Sequence, residues 1–208
     1  MKRPKYISIE GPIGAGKSSL AHILGTKMHA KLILDPVNPF LENFYKDMEK
    51  YAFQTQLFFL LSRFAQQKDI SQQDLFHSNV ICDYLFFKDR IFASITLDEN
   101  EFILYEKVYS LLKANIVLPD LVIYLQTDAE ALFERMRSKK GPFDSLISID
   151  YLNELVKAYN YFFFHYNQTP LLVVNTKKLD FLNSQEDTDK LIKEINQLKS
   201  GTNYFVPF

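Results

Sequence analysis

The chain has 208 residues, 47% of them hydrophobic, and a formal net charge of −1. That length suits one domain with a complete hydrophobic core, and the balanced charge excludes the basic footprint of a nucleic-acid binder. A single cysteine, Cys82, excludes a disulfide framework and fits a reducing compartment.

Met1-Lys2-Arg3-Pro4 carries no leader pattern, and the densest apolar run, LFFLL at 57–61, is too short to span a bilayer. The expected location is the cytoplasm. Five short, continuous apolar runs follow along the chain: YISIE (6–10), KLILD (31–35), NVICD (79–83), DLVIYLQ (120–126) and LLVVN (171–175). Continuous rather than alternating runs predict strands buried on both faces. Between them the periodicity predicts helices at 17–29, at 40–68 with a break near Glu49, and at 98–115, 128–138, 148–167 and 186–199. Strand–helix alternation predicts a single α/β domain over 1–208: a five-stranded parallel sheet with helices on both faces. RMRSKKGPF predicts a short basic lid at about 135–145, which includes Lys140, and the chain ends in an aromatic tail, GTNYFVPF (201–208). The 19 Phe and 12 Tyr are a packing resource and could also stack on a flat ligand.

Between the first run and the first helix stands Gly11-Pro12-Ile13-Gly14-Ala15-Gly16-Lys17-Ser18, followed by Ser19. It fits G-x-x-x-x-G-K-[ST] in the required strand–loop–helix setting. Backbone N–H groups of such a loop surround phosphate oxygens, the lysine reaches the β/γ-phosphates, and the Ser18 hydroxyl suits Mg²⁺. Ligands of open parallel sheets bind beyond the carboxyl ends of the strands. Asp35 and Asp83 each end a strand at that edge. Asp83 reads either as a Mg²⁺ ligand or as a base toward an attacking hydroxyl. Gln56 and Arg63 lie seven residues apart, hence on one helix face, with Asp89 as a candidate partner for Arg63. A Gln amide offers the paired donor and acceptor that suit a nucleobase edge. Arg135, Arg137, Lys139 and Lys140 could bring cations over the phosphates.

With these motifs in order from IEGPIGAGKSS to ISIDYLNEL, the chain resembles the deoxynucleoside kinase family, in particular its bacterial deoxyadenosine, deoxyguanosine and deoxycytidine kinases. The resemblance implies ATP-dependent phosphorylation of a deoxynucleoside 5′-hydroxyl, with Mg²⁺, by a homodimer. It implies Asp83 as the activating acid and Asp35 near the same hydroxyl. It also implies Tyr45 and Asp150 at the 3′-hydroxyl, Gln56, Arg63 and Asp89 as base readers, Phe40 and Phe92 as aromatic walls, and Arg135 and Lys139 as lid cations. One departure is Tyr84, where the family often has Arg; Lys88 and Arg90 are the nearby cations that could stand in. Deoxyadenosine is the favoured acceptor, with deoxyguanosine and deoxycytidine as further candidates. Two other readings stand beside this one. One is a thymidylate-kinase-like monophosphate kinase, suggested by Asp89-Arg90. The other is a non-catalytic nucleotide-binding regulator.

Overall fold

The computed structural model describes residues 4–71, 79–139, 141, 143–177, 179, 181, 184–198 and 200–206. Lys140 and Pro142 of the expected lid, and Pro207 and Phe208 of the tail, lie outside them. The strands are β1 (Tyr6–Glu10), β2 (Lys31–Ile33), β3 (Val80–Cys82), β4 (Leu121–Gln126), β5 (Leu171–Asn175) and β6 (Thr202–Phe205). The helices are α1 (Lys17–Met28), α2 (Leu41–Lys46), α3 (Met48–Ser71), α4 (Asp89–Thr96), α5 (Glu99–Lys113), α6 (Ala129–Lys139), α7 (Ile149–Phe164) and α8 (Gln185–Gln197). All strand pairs are parallel, in the order β2-β3-β1-β4-β5-β6.

Two differences from the sequence expectation have physical causes. The sheet has six strands rather than five, because the tail residues Thr202–Phe205 pair with Leu171–Val174. Joining the sheet edge gives their backbone hydrogen bonds, and Phe205 packs on the core while Tyr204 stays exposed. The charged stretch after Asp83, where no helix was expected, makes a short 3-10 turn (Phe86–Lys88) and then α4. The expected break in the 40–68 helix falls at Asp47, which caps α2.

The core has two faces of unlike chemistry. On one, α1, α6 and α8 cover the sheet with aliphatic side chains such as Leu20, Leu24, Leu132, Leu191 and Ile195. The other is aromatic: Phe86, Tyr105, Tyr109, Tyr124, Tyr159 and Phe163 are all buried there. Tyr124 and Phe163 stack at 4.1 Å between ring centroids. The phenylalanine and tyrosine excess is thus largely spent on packing α4, α5 and α7.

Register then fixes the functional edge. Ser8 pairs with Cys82, and Cys82 with Ile33, so the three strands end side by side. Glu10, Asp83 and Asp35 emerge together just beyond them. The chain runs from β1 to neighbours on opposite sides, β3 and β4, and this is the switch point where such sheets bind ligands.

Candidate active site

The phosphate loop turns through Gly14 (φ 81°) and Gly16 (φ 96°), left-handed conformations that glycine adopts without strain. Gly16 is also the N-cap of α1, and a Cβ there would meet the Phe181 ring at 2.9 Å. Lys17 Nζ donates to the carbonyls of Gly11 (2.8 Å) and Pro12 (3.1 Å), so its ammonium lies across the loop. Burial, and Lys88 beyond it, push that ammonium down to about 8. The Ser18 hydroxyl donates to Asp83 Oδ2 at 2.5 Å. Asp83 is buried, and its other oxygen accepts from the Asp35 N–H at 2.6 Å. A hydroxyl beside a fixed carboxylate is the hard-oxygen pair that suits Mg²⁺, which takes few protein ligands and completes its shell with phosphates and water.

Beside the loop opens a cavity of about 260 Å³, near the lower end of ligand pockets. Ile13, Gly14, Lys17, Ser18 and Asp83 line it on the phosphate side. Asp35, Tyr45, Gln56, Arg63, Phe92 and also Leu41, Phe44, Thr55, Phe59 and Lys88 line the rest. The fork of Arg63 grips Asp35, Nε to Oδ1 and Nη2 to Oδ2, both at 2.7 Å, while Nη1 donates to Asp89. Lys88 Nζ adds a bond to Asp35 Oδ2 at 3.1 Å. Burial pulls the Asp35 carboxyl up, but Arg63 and Lys88 outweigh it and hold it well below the usual carboxylate range. Asp89 behaves oppositely: deeper burial wins over Arg63 and raises its carboxyl to about 6.

Lys17, Ser18, Asp35, Tyr45, Gln56, Arg63, Asp83 and Phe92, all expected at the site from sequence, therefore line one cavity. Asp89 sits behind Arg63 rather than in the lining, 1% exposed. Phe40 packs edge-on against Phe58, outside the lining. Asp150 is exposed in the first turn of α7, also outside it. Arg135 and Lys139 belong to the last turns of α6; Arg135 donates to the Thr176 carbonyl at 2.7 Å and Lys139 is exposed. Tyr84 is buried, its hydroxyl on Gln66 Oε1 at 2.7 Å. Of the two cations that could replace an arginine there, Lys88 is in the cavity, whereas Arg90 is half-exposed and paired with Glu106. Glu10 was missed by sequence reasoning because it continued the apolar strand YISIE without a break. A charge at the end of an otherwise buried strand was the available signal.

The deoxynucleoside kinase model matches residues 7–200. The chain belongs to the deoxynucleoside kinase family. As a member it is a kinase, transferring phosphoryl groups from ATP to a hydroxyl of a deoxynucleoside. It is 32% identical to a deoxyguanosine kinase of Bacillus subtilis (strain 168), over 95% of this chain and 99% of that one. A deoxyadenosine kinase of Lactobacillus acidophilus is 31% identical, over 93% of this chain and 95% of its own. Among solved structures, a deoxyadenosine kinase from M. mycoides with bound dATP matches with a TM-score of 0.80 and 26% identity, covering 92% of this chain and 99% of that one.

Proposed function

We propose that this deoxynucleoside kinase phosphorylates the 5′-hydroxyl of deoxyadenosine in preference to other acceptors, with deoxyguanosine and deoxycytidine as weaker substrates. The observation that carries this reading is the cavity itself, which joins phosphate-loop groups to a Gln-bearing aromatic pocket. All three Arg63 nitrogens already hold carboxylates, so its capacity for a base edge is reduced. Gln56 remains as a lining side chain whose amide presents a donor and an acceptor side by side, the pairing that suits adenine. Its amide is steadied by Thr96 Oγ1 at 3.3 Å, and Phe59 and Phe92 supply flat walls.

The two acids divide the work. Asp83 accepts from the phosphate-loop Ser18 hydroxyl, so it stands on the metal side. Ser18 and Asp83 would hold Mg²⁺, which would neutralise charge on the transferring phosphoryl group. Asp35 lines the cavity, its side chain 27% exposed, and accepts a hydrogen bond from the 5′-hydroxyl. Its low proton affinity suits a loose transition state, in which the hydroxyl needs orientation more than early deprotonation. Lys88 takes the place of the family arginine, a point charge beside that oxygen. Among the lining cations, Arg63 and Lys88 already hold Asp35 and Lys17 holds loop carbonyls, which weighs against an acceptor monophosphate and so against the thymidylate-kinase-like reading.

The same chain is proposed to work as a cytoplasmic homodimer. Helix α7 exposes Tyr161 (72%) and Phe164 (83%), and beside them a groove of about 890 Å³ runs between α4, α5 and α7. A second copy of the chain fits a surface this aromatic. The test of the catalytic reading is a steady-state comparison, with ATP, of the four deoxynucleosides and dTMP. The expected order of kcat/KM is deoxyadenosine above deoxyguanosine and deoxycytidine, with thymidine last. Turnover of dTMP with none of the nucleosides would reject it.

A further inference from the structure

Glu10 has no part in the chemistry above, yet its carboxylate is where the two halves of the site meet. It ends β1 with 0% exposure. Its Oε1 accepts from the N–H of Gly11, the first residue of the phosphate loop, at 2.8 Å, and from the Tyr159 hydroxyl of α7 at 3.0 Å. Its Oε2 accepts from the Leu85 N–H at 2.8 Å, with Lys88 Nζ 3.8 Å away. A fully buried carboxylate is costly unless its oxygens are satisfied, and here both are.

Capping the end of a strand would need only one backbone partner. Glu10 instead holds two loops with different duties. Gly11 opens the loop that receives the donor's phosphates. Leu85 lies between Asp83 and Lys88, on the segment that faces the acceptor. In-line transfer requires these loops to keep a fixed separation, and a misplacement of about 1 Å can cost on the order of a hundredfold in rate. We propose that Glu10 is a positioning residue that ties the donor loop to the acceptor loop, so that occupancy of one half of the site is transmitted to the other. This rests on the kinase reading of the cavity.

The isosteric Glu10→Gln variant keeps one acceptor oxygen but turns an NH₂ toward a backbone N–H, so one loop is released. In the full-length protein, turnover should fall by about a hundredfold while the KM values for ATP and deoxyadenosine each move less than about threefold. In the wild type, the non-hydrolysable analogue AMP-PNP should tighten deoxyadenosine binding, and in Glu10→Gln that dependence should vanish, as linkage between coupled sites requires. Tyr159→Phe, which spares both backbone bonds, should keep kcat within about threefold. The proposal is overturned by a Glu10→Gln protein with wild-type circular dichroism and turnover within twofold, by a loss that only matches the unfolded fraction, or by Tyr159→Phe proving as harmful. Should Glu10→Gln not fold, the same kinetics on Glu10→Asp decide: the charge is kept, the reach is one methylene short, and undiminished kcat would count against the idea. A wild type inactive on every deoxynucleoside would reject the kinase reading and this proposal together; an active wild type with an unaffected Glu10 variant would reject this proposal alone.

Discussion

Arg63 performs two tasks with one guanidinium. Its fork fixes Asp35 in the cavity, and its remaining nitrogen neutralises Asp89 behind it. Removing it leaves two carboxylates short of a partner, and breaking a buried pair from one side costs about 3–5 kcal/mol. Arg63→Met should therefore lower the melting temperature by roughly 10 °C and reduce kcat for every deoxynucleoside, not only reorder them. Calorimetry and the acceptor panel check both, and a reordering at undiminished kcat would remove Arg63 from the positioning of Asp35. Asp89 makes a prediction with a definite sign. Because burial raises its carboxyl to about 6, it holds its proton more tightly folded than unfolded, and ionisation costs stability as pH rises from about 4 to 6. Asp89→Asn escapes that cost. Its melting temperature relative to wild type should move in its favour by roughly 5 °C between pH 4.5 and pH 7.5. A difference that is flat or of opposite sign would contradict the assignment. The acids themselves were legible in the sequence, because Asp35 and Asp83 each interrupt an apolar strand. Glu10 and Lys88 were harder: one ends a strand that stays uniformly buried, and the other stands in a run of charges that reads as solvated.

At the scale of elements, what was legible followed local rules. The phosphate loop, with glycines at positive φ between β1 and α1, is written in a contiguous motif. Helix α5 is announced by Asp98 and Glu101, which form a capping box in the structure. Asp98→Ala should cost about 1 kcal/mol, a few degrees of melting temperature, and leave kcat unchanged, since α5 meets the site only through packing. A change in kcat would mean that α5 transmits more than support. Helix α4 and strand β6 were not legible, for non-local reasons. Helix α4 is eight residues that begin on buried Asp89, whose charge is tolerable only because Arg63 of α3 reaches it. Strand β6 exists only because β5 offers an edge, and four residues of TNYF carry no alternation strong enough to announce that pairing.

For the whole molecule, the aromatic face of the core continues to the surface at α7. Tyr159 and Phe163 pack inward while Tyr161 and Phe164 point out. That split predicts a dimer, with light scattering giving twice the chain mass of 24.4 kDa. Phe164→Glu should halve that mass; a wild-type monomer at micromolar concentration would refute the assembly. The proposed dimer is separable from the proposed chemistry, which is assigned within one chain to the carboxyl ends of β1, β2 and β3. Register brings Glu10, Asp35 and Asp83 there, and the helices add Gln56, Arg63 and Lys88 around one cavity. The most direct measurement is product analysis after incubating the purified chain with ATP, Mg²⁺ and deoxyadenosine. Equal amounts of ADP and 5′-dAMP are the expected result, and ATP bound but unconsumed, with no 5′-monophosphate from any deoxynucleoside, would contradict it.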